Sequence, residues 1–187
     1  MELNSKEKEY LIELAKFEIQ KEFDENLIEP KFEQDSKVLK SKSGVFVTLT
    51  INNKLRGCIG YITSDRKLIE TIKDASYHAA FNDNRFTPVS KEESQKLKFE
   101  ISILSEPFDL NSYEEIEIGK HGLILDENYT RALLLPQVPI EHNMNKDQYL
   151  SALCEKGGIH KDYWKEKQLK LKAFTATVFS EKEKDNV

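Results

Sequence analysis

The sequence predicts an α+β fold built from two units that share the element order hairpin, helix, strand. One observation is that its strand patterns are interrupted by helical patterns without strict alternation, which favours α+β over a parallel doubly wound sheet. The other is that residues 45–104 and 113–180 repeat this order, although no residue-level identity relates the two halves. A chain of 187 residues fits one domain, residues 1–187, with these two ranges as its lobes.

The first predicted element is an amphipathic helix over residues 5–23, with Asn4 or Ser5 as its N-cap. Its apolar side chains lie largely on one helical face: Leu11, Leu14, Ala15, Phe17 and Ile19. Residues 24–43 are polar and aperiodic, so a loop is expected to lead from this helix into the main fold.

A β-hairpin is predicted next, because the β-rich runs "GVFVTLTI" and "KLRGCIGYI" are joined through the turn pair Asn52-Asn53. A helix is expected to begin at Ser64 or Asp65 and to be followed by the loop "NDNRFTPV". Ser90 with Glu93 then forms a capping box for a short helix. The alternating run "KFEISIL" completes the first half as a strand.

The second half repeats this order. "EIEIGKHGLIL" and "TRALLLP" flank the turn at residues 126–128 and predict another hairpin. A helix is expected to open at Asn143 or Asn145 and to run through Lys156, where Gly157-Gly158 stops it. "LKLKAFTATVF" is predicted as the closing strand, and residues 181–187 as a disordered tail.

Composition argues against several classes of function. The net charge is −5, from 28 basic and 33 acidic residues, which argues against a nucleic-acid partner. No apolar run approaches the ~20 residues that span a bilayer, so no membrane partner is expected. The polar start "MELNSKEKEY" lacks a secretory h-region. Cys58 and Cys154 form no CxxC pair, and we expect both to be reduced thiols in the cytoplasm.

The stretch "NNKLRGCIGYI" places glycines around a cysteine inside a predicted strand. Strand alternation puts Arg56, Cys58 and Gly60 on one face, with Leu55 and Gly57 on the core face. A guanidinium roughly 7 Å away favours the thiolate and would lower the thiol pKa. Gly60 would leave a gap beside the sulfur, and Gly57 would permit close approach from behind. The alternative is a β-bulge with a buried, inert cysteine.

The chain resembles the AMMECR-type domain family, whose bacterial and archaeal members are called AmmeMemoRadiSam system protein A. The resemblance covers roughly residues 10–180 and is carried by these stretches: "FVTLTINNKLRGCIGYI", "AAFNDNRFTPVS", "EIGKHGLIL", "LLLPQV" and "YWKEKQLKLKAFTATVF". It implies a duplicated, barrel-like, mainly antiparallel sheet flanked by helices. It also implies two partners, a Memo-type protein and a radical-SAM enzyme. It implies no reaction.

The family motif is present at ten positions, which are Arg56, Gly57, Cys58, Gly60, Arg85, Phe86, His121, Gly122, Pro136 and Gln137. One departure is Asn84, where the family commonly has proline before the arginine. The loop around Arg85 is therefore expected to be less rigid in this chain.

Three of these motif residues allow two interpretations each. His121 is either a base or a polar residue at a strand bend, and its flanking glycines predict an accessible imidazole. Arg85 either anchors an anionic group or forms an ion pair with Asp83. Gln137 either offers a fixed amide or ties down loop backbone.

The functional hypothesis is an enzyme, or an enzyme component, that acts through a cleft centred on Cys58. Cys58 would be the nucleophile or redox thiol, Arg56 its activator and His121 the proton carrier. The substrate, a small molecule or a macromolecule, would contact Arg85, Gly57, Gly60 and Gln137. The sequence contains no HExxH, GxGxxG or Walker A motif, so no metal and no cofactor are predicted. The alternative is an adaptor that docks one of the two partners through the "LRGCIG" surface.

Overall fold

The structure, a computed structural model, describes residues 3–127 and 129–181, with Glu127 described through its backbone. The chain divides into two compact units. One comprises Met1–Leu104 with Thr177–Val187, and the other comprises Ser105–Ala176.

The helices in the described residues are α1 (Ser5–Gln20), α2 (Leu68–Phe81), α3 (Lys91–Ser94), α4 (Val138–Glu141), α5 (Lys146–Lys156) and α6 (Tyr163–Glu166). The strands are β1 (Val45–Ile51), β2 (Lys54–Tyr61), β3 (Lys98–Leu104), β4 (Phe108–Leu110), β5 (Gly122–Glu127), β6 (Thr130–Leu134), β7 (Leu171–Phe174) and β8 (Ala176–Ser180).

Helix α1 begins where the sequence predicts and ends at Gln20, earlier than the predicted residue 23. Asn4 caps it in a capping box with Glu7. The Glu7 carboxylate also accepts a hydrogen bond of 2.6 Å from the Ser36 hydroxyl. Glu7 therefore ties the predicted loop at 24–43 to the first turn of the helix.

The first unit contains a four-stranded sheet in the order β2-β1-β3-β8, with β1 antiparallel to both β2 and β3. The predicted hairpin is confirmed, since Asn52 and Asn53 both have positive φ, 51° and 60°, as a two-residue type I′ turn requires. Buried residues of β1 and β3 pack against α1 and α2 to form the core of this unit.

A β-bulge interrupts the hairpin at Arg56. Leu49 pairs with Gly57 and Thr50 pairs with Leu55, so Arg56 is the extra residue on β2. The premise of unbroken alternation along β2 is therefore wrong. Leu55, which was expected in the core, has 45% of its surface exposed. The bulge named in the alternative interpretation of this stretch is present.

Helix α2 begins at Leu68 rather than at Ser64 or Asp65. The Leu68 amide donates to the carbonyl of Ser41, which lies in the preceding loop. The Ser64 hydroxyl is instead within 2.8 Å of the Thr71 hydroxyl and accepts from the Arg66 amide. A tertiary contact therefore decides where this helix starts.

The second unit contains a four-stranded sheet in the order β4-β7-β5-β6, in which β7 is antiparallel to both β4 and β5, and β5 to β6. In both sheets the third strand of the repeat pairs with the first strand of the hairpin, so the repeated order predicted from sequence is confirmed. The turn residue Asn128 lies outside the described residues.

The fourth strand of each sheet comes from the other half of the chain. β4 follows β3 in sequence but pairs in the second sheet, and β8 follows β7 but pairs in the first. The predicted closing strand is therefore two strands, separated at Thr175, whose amide and carbonyl bind Ser105. The described strands form two sheets and no closed barrel, so the single barrel-like sheet is not confirmed.

Helix α5 begins after the N-cap Asn145 and ends at Lys156, with Gly157 as its C-cap, as predicted. Its fully buried Tyr149 places the hydroxyl within 3.2–3.3 Å of the carbonyls of His121, Leu134 and Leu135. Burial raises the pKa of this hydroxyl, so it remains a donor to these carbonyls.

The end of the described chain is anchored in the first unit. Glu181 donates its amide to the Phe99 carbonyl and pairs with Lys16 at 2.9 Å. The remainder of the predicted tail, residues 182–187, lies outside the described residues.

Candidate functional site

The backbone of Cys58 is held by two side chains from the loop that follows α2. Its amide donates to Asp83 Oδ2 at 2.9 Å, and its carbonyl accepts from Arg85 Nη2 at 3.1 Å. These are the two bonds that a neighbouring strand would make, and β2 is an edge strand. Asp83 and Arg85 therefore take the place of a strand at this point of the sheet edge.

Asp83 and Arg85 also bind each other. The Asp83 carboxylate accepts from the Arg85 amide, from Nε at 2.9 Å and from Nη2 at 2.6 Å. The Asp83 side chain is 3% exposed, whereas that of Arg85 is 52% exposed. The hydrogen bonds from Arg85 and from the Cys58 amide lower the pKa of Asp83 against the opposing effect of burial. The predicted ion pair between Arg85 and Asp83 is confirmed.

The sulfur of Cys58 is half-buried and has two polar neighbours. Thr48, its partner across the hairpin, places Oγ1 3.4 Å from Sγ. The hydrogen bond to Asp83 is the largest cause of the raised pKa of Arg85, and smaller contributions come from the charge of Cys58 and a hydrogen bond to it. The guanidinium group that contacts this residue is that of Arg85, because its Nη2 donates to the Cys58 carbonyl at 3.1 Å.

Arg56, the predicted activator, is engaged elsewhere. Its Nε and Nη2 donate to the Glu93 carboxylate at 2.8 and 2.9 Å, and Nη2 also donates to the Thr87 carbonyl. This pair raises the pKa of Arg56 and lowers that of Glu93 to about 2. The charge of Arg56 is thus neutralised by Glu93, which corrects its predicted role toward Cys58.

Phe86 lies next to both guanidinium groups. Cζ of Arg56 is 5.9 Å from the centre of its ring, and Cζ of Arg85 is 5.5 Å from it. Nη1 of Arg56 is buried and has no hydrogen-bond partner in the described part of the chain.

The two glycines of the motif serve packing in different ways. A Cβ on Gly57 would lie 2.0 Å from the carbonyl oxygen of Ala79 in α2, so the expected close approach from behind is present. A Cβ on Gly60 would lie 2.5 Å from the ring of Phe46, its partner on β1. The gap expected over Gly60 is therefore filled by Phe46, and that part of the prediction is wrong.

His121 lies in the second unit, immediately before β5. Its Nδ1 accepts from the Glu117 amide at 3.2 Å, Nε2 lies 3.9 Å from the Glu117 carboxylate, and the ring packs edge-on against Phe108 at 5.5 Å. The residue is buried, so the prediction of an accessible imidazole is wrong. The placement of His121 in the same cleft as Cys58 stays a prediction.

Gln137 precedes α4 in the second unit. Its backbone carbonyl accepts from the amides of Ile140 and Glu141, so backbone rather than the side chain ties down this loop. The side-chain Oε1 is buried and has no hydrogen-bond partner among the described residues. A substrate contact at Gln137 stays a prediction.

Sequence reasoning gave no functional role to Asp83, Glu93 or Thr48. Glu93 was recognised only as a capping residue, and it does accept from the Ser90 amide at 3.0 Å while it binds Arg56. Asp83 was considered only as an ion-pair partner. No local signal connects Asp83 or Glu93 to this strand, because their contacts join residues 25 and 37 positions apart. Thr48 lies within the same hairpin as Cys58, and the bulge shifts the register that pairs them.

Within residues 3–127 and 129–181, no group of three His, Cys, Asp or Glu side chains is arranged to hold a metal ion. No helix in these two ranges is long and apolar enough to cross a membrane.

Comparison with known proteins gives a consistent result. The family model AMMECR1 matches residues 12–179. A protein of Methanosarcina barkeri is 42% identical over 153 residues, 79% of this chain and 75% of its own length. A protein of Aquifex aeolicus is 42% identical over 147 residues, 75% of each chain. The crystal structure of an uncharacterised protein from Pyrococcus horikoshii is 35% identical, with a TM-score of 0.82, and the match covers 93% of this chain and 91% of that one.

Proposed function

The chain belongs to the AMMECR1 family, and from this premise we propose that it is an enzyme, or an enzyme component, that acts through the thiol of Cys58. The observation that carries the proposal is the environment of the sulfur. Sγ lies 3.4 Å from the Thr48 hydroxyl, while Asp83 accepts from the amide of the same residue and the Arg85 guanidinium donates to its carbonyl.

This arrangement suits a reactive thiol. Only the thiolate is a strong nucleophile, and an adjacent guanidinium favours it. Arg85 takes the activating role, while the Arg56–Glu93 pair supports the loop in which Arg85 lies. A hydrogen bond between the Thr48 hydroxyl and Sγ orients the sulfur. His121 is the proposed proton carrier on the basis of the motif. Its Nδ1 accepts from the Glu117 amide, so Nε2 is the ring nitrogen proposed to carry the proton.

The test is the pH dependence of iodoacetamide modification at each cysteine, read by peptide mass spectrometry. Cys154 is the internal control, because it is buried and burial raises the pKa of its thiol. Cys58 is expected to react faster than Cys154 near neutral pH. Arg85→Gln is expected to slow the reaction of Cys58, whereas Arg56→Met is expected to leave its rate unchanged. If Cys58 in the folded protein reacts no faster than Cys154, the proposal fails.

The second candidate function is a non-catalytic adaptor. It is favoured by the apolar exposure on β2 and just beyond it, where Leu55 and Ile62 are large hydrophobic residues open to solvent. In that case the chain belongs to the AmmeMemoRadiSam system and docks a Memo-type protein or a radical-SAM enzyme through the surface formed by residues 55–60.

The two proposed functions can be distinguished with three purified proteins: this chain, a Memo-type protein and a radical-SAM enzyme. The adaptor predicts that Leu55→Glu abolishes association and that Cys58→Ser leaves it intact. The enzyme predicts that Cys58→Ser abolishes turnover while association persists. A cytoplasmic location is part of either proposal, since both cysteines are free thiols that a reducing compartment preserves.

A further inference from the structure

The Arg85 guanidinium has one nitrogen, Nη1, that donates to no oxygen of the described residues. Nε and Nη2 are occupied by Asp83 and by the Cys58 carbonyl. Within the described residues Nη1 makes no hydrogen bond to an oxygen, and about half of the side chain is open to solvent. A charged donor group is therefore available at the residue that carries the thiol, since Nη2 of the same guanidinium binds the Cys58 carbonyl.

The carboxylate that balances Arg85 lies on the buried side of the pair. Asp83 accepts four hydrogen bonds, from the amides of Cys58 and Arg85 and from two guanidinium nitrogens. A molecule that approaches Cys58 from solvent therefore meets the cation, with the anion behind it. Phe86, half-buried beside the same guanidinium, offers an apolar surface for carbon atoms.

We infer that the Cys58 site receives a carboxylate-bearing electrophile, whose carboxylate binds Nη1 of Arg85 while the reacting carbon lies at Sγ. This inference rests on the proposed function. The two hydrogens of Nη2 go to Asp83 and to the Cys58 carbonyl, so Nη1 is the charged donor from which a carboxylate oxygen can accept. Arg56 and Arg85 are already balanced by Glu93 and Asp83, so any anion adds negative charge that the site does not fully compensate. A carboxylate adds one such charge and a phosphate dianion adds two, so the carboxylate is the better match.

Iodoacetate and iodoacetamide form a matched pair of probes for this inference. In both reactions the thiolate forms an S–C bond, the C–I bond breaks and iodide leaves with the electron pair. The two reagents differ in that iodoacetate carries a carboxylate where iodoacetamide carries a neutral amide. The rate with iodoacetate is divided by the rate with iodoacetamide at Cys58. This ratio, divided in turn by the same ratio for N-acetylcysteine amide, reports the preference of the site for the anion.

We expect this normalised ratio to be about fivefold above unity at low salt, the ratio that corresponds to about 1 kcal/mol for an exposed ion pair. It should fall toward unity in 1 M salt, where the Debye length is about 3 Å. Arg85→Gln should remove the preference, and Arg85→Lys should retain part of it. Arg66→Gln is the matched control, because Arg66 is 56% exposed and pairs with Asp74 at 2.6 Å, as Arg85 does with Asp83.

The outcomes separate the inference from the proposed function. Slow reaction of Cys58 with both reagents, no faster than Cys154, overturns the proposed function and the inference together. Fast reaction with iodoacetamide and a normalised ratio near unity in the wild-type protein overturns the inference alone. An equal loss of preference in Arg85→Gln and Arg66→Gln assigns the effect to general surface charge and also overturns it.

Discussion

Replacing Asp83 by alanine removes the acceptor that holds Cys58 at the edge of β2. The Cys58 amide loses a 2.9 Å hydrogen bond to a buried carboxylate, and an unmade bond of this kind costs about 1–3 kcal/mol. Arg85 loses its partner, but its side chain is 52% exposed, so screening limits that contribution to about 0–1 kcal/mol. We expect Asp83→Ala to lower the free energy of unfolding by about 1–4 kcal/mol, the sum of these two contributions.

The assay is urea denaturation with a matched exposed pair as control. Asp126 pairs with Arg131 at 3.1 Å on the second hairpin, where both side chains are mostly exposed. Asp126→Ala should therefore change the free energy of unfolding by less than about 0.5 kcal/mol. If Asp83→Ala is as mild as Asp126→Ala, Asp83 does not hold the strand edge and the reasoning is refuted.

Acid gives a second readout of the same contact. The folded protein lowers the pKa of Asp83 below its usual value of 3.8, so the stabilisation is fully present above that value. It is lost as the pH falls through the lower pKa of the folded state. The difference in stability between wild type and Asp83→Ala should therefore shrink below about pH 4. A difference that stays constant down to pH 2 would contradict the assignment.

Two further predictions concern the neighbours of Cys58. Gly57→Ala places a Cβ 2.0 Å from the Ala79 carbonyl oxygen, so we expect the free energy of unfolding, measured by urea denaturation, to fall by about 1–3 kcal/mol. An unchanged midpoint would show that β2 can move away from α2 at no cost. Glu93→Gln leaves Arg56 without its counter-charge and should cost about 1–3 kcal/mol at neutral pH. Because the pKa of Glu93 falls from 4.5 to about 2 on folding, this difference should vanish as the pH falls through that interval, and a pH-independent difference would exclude the ion pair as its source.

The elements that the sequence predicted well depend on residues within a few positions of each other. The capping boxes of α1 and α3 join residues three positions apart, Asn4 with Glu7 and Ser90 with Glu93. The first hairpin depends on two adjacent asparagines whose side chains tolerate positive φ. Local backbone preferences and local hydrogen bonds decide these features, so the order of residues alone determined them.

The features that the sequence did not predict depend on contacts between distant residues. The start of α2 is set by the Ser41 carbonyl, and the division of the closing strand is set by Ser105. Ser41 lies outside α2, and Ser105 lies outside the closing strand. The periodic pattern of each element therefore could not predict the contact that changes it.

The candidate site shows the same division. The motif around Cys58 was recognisable in sequence, but which arginine serves the thiol was not. Regular strand alternation favoured Arg56, which lies two residues from Cys58. The bulge at Arg56 and the carboxylate of Glu93, 37 positions from Arg56, direct that guanidinium to another partner. Arg85, 27 positions from Cys58, reaches it because the loop after α2 passes along the edge of β2. Sequence spacing determined that a thiol lies among glycines in a strand, and only tertiary packing decided which charge lies beside it.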